Sequence, residues 1–481
     1  VTALNLTALS HLSPAVAGPA YDPASLSVGI VHFGPGAFFR AHQAAYADAL
    51  AANDPRWGIC GVSLHSAGVR DALQPQDGLY TLAVLDETIS YSLIGALREV
   101  LVAPENPEAV FERLTRPDVR VVTSTVTEKG YCLGAGFRLD FAHPDIAHDA
   151  ANPHAPKSFI GYMVEALRRR RQNGQAPFIL IPCDNLPDNG KRLKAAVAAL
   201  ASASDPSLGA WIDAQLTCPC TMVDSITPAT DDALRARVAA ATGLSDAWPI
   251  QREAFTQWVI EAHDGQDGPD WASVGVTLTD SVPAFERAKL RLLNGPHSSL
   301  AYIGSLKGYE TVYDAMQDAE LAGFVRNLML EDIAPLLQAP SGMDLPGYCE
   351  AILKRFRNPA IRHLLAQIAW DGSQKLPIRI LASLQEALDQ GRDINRFCLP
   401  LAAWMRFVIG KTRRNEPITD PLADKLSALA RDCDDSVADV DRFLGLKEVF
   451  APALSAQAAF RDGLHAAYVA CLDLQKEAAP A

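Results

Sequence analysis

Lys289, Asn294 and His297, in the run Lys289-Leu290-Arg291-Leu292-Leu293-Asn294-Gly295-Pro296-His297, place a potential base, an amide and an imidazole at spacings of five and three. On a helix, residues three and four apart share a face, and residues five apart are expected close to it. Leu290, Leu292 and Leu293 are apolar, so the segment should pack against a core. A Lys there would be partly desolvated, which lowers its pKa towards working pH and suits it to proton transfer. The competing reading is a solvated Lys on a helix that breaks at Gly295-Pro296.

Two further segments could serve the same chemistry. Ser27 to His42 reads as an apolar strand, a glycine turn and a helix start. Gly34 and Gly36 would let the backbone approach a pyrophosphate at which the next helix points its N-terminus. Phe39 fills the third glycine position of that pattern, so an ordinary strand–turn–helix corner stays open as an alternative. Residues 178–183 read as a buried strand ending in a polar loop with Asp184, Asn185 and Asn189. A neutral amide at such a carboxyl edge can hydrogen-bond a carbonyl or a developing alkoxide. Asp188 or Asn189 is expected to cap the following helix.

The elements that must hold these residues follow from periodicity. Apolar, β-branched segments occur at 28–33, 58–64, 79–85, 119–124, 178–183, 221–226 and 274–278. Helix-like stretches such as 156–171 and 191–200 lie between several of them, which predicts a parallel, doubly wound sheet. Residues 133–156, rich in Asp, His, Asn and Pro, are expected to cross the surface as a loop. From about Val282 the pattern turns to amphipathic helices at 284–293, 298–307, 319–330, 347–356, 359–369, 378–390, 399–409 and 421–430. The predicted fold class is α/β: a Rossmann-like sheet domain over 1–281, then a mostly α-helical domain over 282–481. The Lys289 motif would open the second domain and face the sheet's carboxyl edge across a crevice, the expected place for a ligand. The Ala-rich end is expected to fray.

Composition narrows the function classes. The chain has 481 residues, 49% hydrophobic and 21% charged, the balance of a globular protein. Its net charge of −13 disfavours nucleic acid and anionic membranes as partners, so an anionic substrate would need local cations. The nine cysteines are scattered apart from Cys218-Pro219-Cys220. That pair has no second cysteine pair or His cluster nearby and reads as core packing, not zinc. Reduced thiols and a cytoplasmic location are expected. The first Lys or Arg is Arg40, so no basic n-region of a secretory signal is expected, and no apolar stretch reaches the length of a membrane span.

Four segments taken together resemble the polyol-specific long-chain dehydrogenases, the mannitol dehydrogenase family. They are Gly34-x-Gly36…Arg40-Ala41-His42-Gln43, Thr125-Val126-Thr127-Glu128-Lys129-Gly130-Tyr131, Cys183-Asp184-Asn185-Leu186 and Lys289…Leu293-Asn294-Gly295-x-His297. Val223-Asp224-Ser225 falls where the family has a Val-Asp-Arg signature, and Glu253-Ala254-Phe255 where it has Glu-Pro-Phe. Phe39 stands where a His is common. The resemblance implies metal-independent interconversion of a secondary alcohol and a ketone on a small polyol or ketouronate, with NAD, or NADP, as cofactor. It implies Lys289 as general acid/base, Asn185 and Asn294 on the substrate oxygen, and Glu286 in proton relay, where a plain i,i+3 ion pair is the alternative. It also implies substrate contacts from His297, Asp224, Lys375, Gln367 and Arg379. Cofactor contacts are expected from Gly34, Gly36, Ala37, Phe38, Arg40, Ser63, His65, Ser124, Thr125 and Val126. No acid follows the second strand before Asp71, so His65, Ser66 and Arg70 could instead accept a 2′-phosphate.

The stretch Arg355 to Gly372 looks more like the mannonate/fructuronate branch, and Gln367 stands where mannitol enzymes can carry a substrate-binding Arg. Asp246-Ala247-Trp248-Pro249 looks closer to the mannitol branch. The expected substrates are D-mannonate and D-fructuronate, with D-mannitol and D-fructose or a related polyol as the alternative. A dinucleotide-binding sensor without turnover is the alternative of a different class, and the retained base argues against it. The oligomeric state is left open, a monomer included.

Overall fold

The computed structural model describes residues 2–263 and 268–477. The chain divides into two compact units, Val1–Pro283 and Ala284–Ala481. The expected fraying of the Ala-rich end concerns 478–481, which lie outside the described residues.

Thirteen strands are found among the described residues of the first unit: β1 Thr2–Ala3, β2 Val28–Phe33, β3 Gly58–Ser63, β4 Tyr80–Leu85, β5 Ser90–Ile94, β6 Leu97–Val102, β7 Val121–Ser124, β8 Ile179–Pro182, β9 Thr221–Asp224, β10 Leu244–Ser245, β11 Ile250–Glu253, β12 Gln257–Glu261 and β13 Thr277–Thr279. Five of them form one sheet in the order β6-β3-β2-β7-β8, with every neighbouring pair parallel. Numbered along the chain, that is the 3-2-1-4-5 order of a Rossmann sheet, and the order reverses between β2 and β7. The register sets Phe33 beside Val62 and Ser124, Ser63 beside Val102, and Ser124 beside Pro182, so all five strands end on one edge.

Strands β2, β3, β7 and β8 of this sheet are buried along their whole length, as a parallel sheet covered by helices requires. Alternation along β2 feeds two cores. Val31 and Phe33 join Val62, Val122 and Leu180 under the helices Phe159–Gln172 and Asn189–Ser204. Ile30 points the other way, with Ile59, Val121 and Ile181, onto the helix Gln43–Ala51. Strands β4, β5 and β11 make a second sheet, β9, β12 and β13 a third, and β1 pairs with β10.

Several expectations needed correction. β5 and β6 did not stand out as apolar runs. β6 is an edge strand whose Arg98 and Glu99 are only half-buried, so its pattern lacks the continuous apolar signal of the central strands. The strand expected over 274–278 starts later, at Thr277. Trp271–Val274 is a 3₁₀ turn that Gly275 closes at φ +92°. The expected surface loop 133–156 contains the helix Pro144–Ala151, in which Ile146 is buried. Asp149 of that helix is also buried and accepts the amides of Lys157 and Ser158.

The second unit is helical, as its periodicity predicts. Its long elements include Gly295–Leu306, Leu345–Phe356, Asn395–Arg413 and Ala458–Glu477. Of the helix expected over 359–369, only Leu365–Ile368 forms, because the extended backbone of Leu364 delays its start. Three short π-helical turns interrupt the α-helices, at Lys289–Asn294, Leu328–Ile333 and Pro377–Leu381.

Candidate active site

In the first unit, the turn after β2 is tied to the end of β7. Gly34 has φ +89°, which favours glycine, and its amide donates to the Val62 carbonyl at 3.0 Å. The Thr125 hydroxyl donates to the Gly34 carbonyl at 2.7 Å, and a side chain at position 34 would meet that hydroxyl at 3.3 Å. His32 bridges the same two strands, with Nδ1 2.7 Å from Thr123 Oγ1 and Nε2 3.0 Å from Thr125 Oγ1. Burial pulls the His32 pKa down to about 3, so the imidazole is neutral. Phe39 lies flat on that imidazole at 3.5 Å, a packing role for the residue that interrupts the glycine pattern.

The helix Ala37–Ala41 starts at Gly36, which is exposed and offers no capping side chain. Its first amides are therefore not taken by a side chain at the point where the strand order reverses. A glycine turn, a helix start and a reversal in strand order are the parts of a dinucleotide site. Ser63 is buried at the end of β3 and His65 is exposed just beyond it; Ser124 is buried and Thr125 and Val126 are half-buried after β7. Arg40 is not brought to this edge. Its side chain is fully buried, donates to the Trp248 carbonyl at 3.0 Å and stacks on the Trp248 ring, because the helix turns that position into the core. Arg70 is held by the carboxylates of Asp71 and Glu105.

Beyond β8 the chain enters the polar loop. The Cys183 amide donates to the Ser124 carbonyl at 2.7 Å, and the Leu186 amide to Asp184 Oδ1 at 2.8 Å. Tyr131 donates its hydroxyl to Asp184 Oδ2. Asn185, between these fixed neighbours, is exposed. Asp188 sits in the left-handed region and makes no side-chain cap to the next helix. Asn189 Oδ1 accepts the first-turn amide of Gly190 at 2.9 Å and also the Thr221 amide at 2.9 Å, which staples the helix start to β9. Asp224 ends β9 and is buried. The next two residues are fixed from the Glu253–Phe255 segment: Ser225 donates to the Phe255 carbonyl at 3.1 Å, and the Ile226 amide to Glu253 Oε1 at 2.7 Å. The small hydroxyl that replaces the family's cation thus has a local backbone partner.

In the second unit, the Lys289 motif is not an α-helix. Lys289–Asn294 forms a π-turn, closed by the Gly295 amide donating to the Leu290 carbonyl five residues back. In an α-helix, residues five apart differ by about 140° around the axis. In a π-helix, with about 4.4 residues per turn, they differ by about 50°. The expectation that Lys289 and Asn294 share a face is met only because the helix is underwound there. Glu286, Lys289 and Asn294 are half-buried, while Leu292 and Leu293 are buried. The turn packs beside the π-turn Pro377–Leu381. A side chain at Gly295 would lie 2.9 Å from the Arg379 carbonyl oxygen, so glycine is required by the approach of the two backbones.

His297 is buried, stacked on Phe356 at 4.5 Å and edge-on to His363 at 5.1 Å. Burial holds its pKa well below the ordinary value, and His363, Arg355 and Arg379 push the same way. Arg379 donates to the Ser298 hydroxyl at 3.2 Å, and its Nε is buried without a partner. Lys375 donates to the Ile368 carbonyl at 3.3 Å, its pKa lowered first by burial and then by Arg379. His363 is lowered by burial and by Lys375. The second unit therefore gathers two imidazoles of lowered pKa, His297 and His363, with the cations Arg355, Lys375 and Arg379, and Asp371 and Asp420 act on Lys375 in the opposite sense. Gln367 is exposed on its short helix and its side chain joins none of these hydrogen bonds. Arg355 and His363 were not singled out from the sequence; only their basic character, in a segment already noted, could have flagged them. Among the described residues, no group of three His, Cys, Asp or Glu is placed to hold a metal ion, and all nine cysteines are free thiols. No helix of the described residues is long and apolar enough to cross a membrane.

Comparison with known proteins covers both units. A family model described as the mannitol dehydrogenase Rossmann domain matches residues 28–273, and one described as the mannitol dehydrogenase C-terminal domain matches 281–472. D-mannonate oxidoreductase of Escherichia coli (strain K12) is 42% identical over 466 residues, covering 94% of this chain and 95% of that protein. A crystal structure of D-sorbitol dehydrogenase in substrate-free form matches with a TM-score of 0.91 at 32% identity, covering 99% of each chain. Mannitol 2-dehydrogenase of Pseudomonas fluorescens, solved as a ternary complex with NAD and D-mannitol, matches with a TM-score of 0.81 at 36% identity, again over 99% of each chain.

Proposed function

This chain belongs to the mannitol dehydrogenase family of oxidoreductases, and we propose that it interconverts D-mannonate and D-fructuronate with NAD as its cofactor. The observation that carries the substrate choice is the charge around His297. The imidazole is neutral, and the groups acting on it, His363, Arg355 and Arg379, all oppose its protonation. Arg355, Lys375 and Arg379 bring positive charge close to His297, with Asp371 and Asp420 partly offsetting Lys375, and a carboxylate in an acidic protein needs such local cations. Fructose and mannitol carry no such charge; fructuronate and mannonate do. The relative named D-mannonate oxidoreductase points the same way.

In this reading residues 1–281 bind the dinucleotide and 282–481 bind the substrate. Backbone at Gly34, Gly36, Ala37 and Phe38 would receive the pyrophosphate, with Ser63, His65, Ser124, Thr125 and Val126 along the rest of the sheet edge. NAD is favoured over NADP because Arg70, the cation that could meet a 2′-phosphate, already has two carboxylates. The mannitol 2-dehydrogenase of Pseudomonas fluorescens was also solved with NAD. The bound nicotinamide supplies or accepts the hydride. Lys289 gives the carbonyl oxygen its proton in reduction and takes it back in oxidation. Asn185 and Asn294 donate to that oxygen while its charge changes. Glu286 passes the proton to solvent, His297 binds a substrate hydroxyl, and Asp224 and Gln367 contact the remaining polyol. Lys375 and Arg379 hold the carboxylate.

The test is kcat/KM for fructuronate and fructose with wild type and Lys375→Met. A charge-assisted bond contributes about 1.5–3 kcal/mol, so fructuronate should lose about 10- to 100-fold and fructose only a few-fold. Wild-type preference for fructose, with equal losses in the variant, would overturn the hexuronate reading in favour of the mannitol one. No NADH oxidation with any ketose or ketouronate would favour the sensor.

A further inference from the structure

Tyr131 lies far along its loop from the residues expected to touch cofactor. The segment from Thr125 doubles back on itself: the Gly130 amide donates to the Thr127 carbonyl at 2.7 Å, and a side chain at Gly130 would lie 3.0 Å from Val126 Cβ. Glu128–Tyr131 is a 3₁₀ turn, and Cys132 ends it in the left-handed region at φ +51°. That fold delivers the Tyr131 ring into the core, 1% exposed and packed on Phe159 at 6.3 Å between centroids. Its hydroxyl donates to Asp184 Oδ2. Burial and the neighbouring Asp184 charge hold the phenol protonated, so it stays a donor at any working pH.

Asp184 uses its other oxygen on the residue that follows Asn185, accepting the Leu186 amide at 2.8 Å. On the near side, the Cys183 amide is bound to the Ser124 carbonyl. The Asp184 carbonyl also accepts from Asn189 at 3.4 Å. Asn185 is thus an exposed residue held between two anchored ones, and the Asp184 carboxylate, to which the Tyr131 phenol donates, ties the chain on either side of it. Loop-tip residues are mobile unless packed or bonded, and a donor aimed at a reacting oxygen must be held within a fraction of an ångström.

We propose that Tyr131 and Asp184 form a positioning pair that aims Asn185 at the reacting oxygen, joining the loop after β7 to the loop after β8. The proposal rests on the reading that Asn185 acts on that oxygen. Tyr131 is a positioning residue; in this account it touches neither substrate nor cofactor. Its loss shows in the chemical step and not in binding.

A double-mutant cycle in the full-length enzyme tests this. Tyr131→Phe keeps the ring and removes the donor. It should lower kcat by about 10- to 100-fold, the scale of an ångström-sized misplacement, with KM and the NADH dissociation constant within about twofold. Asn185→Ala should also lower kcat, and adding Tyr131→Phe to it should cost nothing more, because the phenol acts through the amide. Wild-type kcat in Tyr131→Phe, or losses that multiply in the double variant, would overturn the proposal and leave Tyr131 a packing residue. An unchanged kcat in Asn185→Ala alone would remove the premise about the site, and the pair with it. Should Tyr131→Phe fold poorly, Asp184→Asn keeps the shape and removes the carboxylate charge to which the Tyr131 hydroxyl donates. It is expected to give the same kcat-specific loss and the same absence of a further effect in the Asn185→Ala background, and multiplied losses there would again refute the pairing.

Discussion

Gly295→Ala is the smallest change that should disturb the π-turn carrying Lys289 and Asn294 without touching either of these proposed catalytic groups. Gly295 has φ −62°, an ordinary helical value, so an Ala there carries no backbone strain of its own. The obstacle is steric. The new Cβ would lie 2.9 Å from the Arg379 carbonyl oxygen, against about 3.3–3.6 Å for a comfortable carbon–oxygen contact. The obstructing atom is backbone, so the π-turns at Lys289–Asn294 and Pro377–Leu381 must separate by roughly half an ångström. Overpacking of this kind costs about 1–3 kcal/mol, and the helix propensity of Ala returns at most about 1 kcal/mol. The net destabilisation is about 0–3 kcal/mol, which in a protein of this size lowers Tm by a few degrees. Activity should suffer more than stability. Lys289 and Asn294 both sit in the displaced turn, and if they form the proposed catalytic pair a shift of this size costs about tenfold in kcat. The assay is thermal unfolding together with kcat and KM on the preferred ketone. A variant with wild-type kcat and a raised Tm would show that the contact of the two π-turns does not set the geometry of Lys289.

Lys289→Ala should lower kcat by about 10²–10⁴-fold while NADH binding, followed by fluorescence titration, stays within about twofold. Near-native kcat at every pH would dismiss Lys289 as the base. A second expectation concerns acid. His32 is neutral in the folded protein with its pKa pulled down to about 3, whereas in the unfolded chain it titrates at about 6.5. Below about pH 6.5 the unfolded chain takes up the proton first, so stability is full above that value and falls as pH drops towards 3. The urea midpoint should fall between about pH 7 and pH 5 in wild type and fall less in His32→Asn. Parallel falls in the two proteins would show that His32 is not a source of the acid sensitivity.

Much of the first unit was legible because its signals are local. Val28–Phe33 is a continuous apolar run bounded by Gly34 and Gly36, and such a run is read without knowing its neighbours. The change to helical periodicity near Val282 is equally local. β6 was missed because an edge strand need bury only part of its surface, and Arg98 and Glu99 mask it. The identities of Lys289, Asn294, Asn185 and His297 stood out in the sequence, and so did the family pattern they carry.

What the sequence by itself determined is therefore the family, the candidate reactive groups and whether strand or helix lies under each. The tertiary structure alone decided how those groups are presented. Nothing in Lys289-Leu290-Arg291-Leu292-Leu293-Asn294 announces a π-turn, because an underwound helix gives up regular hydrogen bonding and forms where packing compensates, here beside Pro377–Leu381. Arg40 looked free to meet a cofactor and is instead held against Trp248, in the bend between β10 and β11 far along the chain. His363 and Arg355 join His297 only because a neighbouring helix and the irregular segment that follows it converge on it. Spacing along a chain records which face of one element is apolar; it holds no record of which other element will cover that face, and the charges in this site come from those other elements.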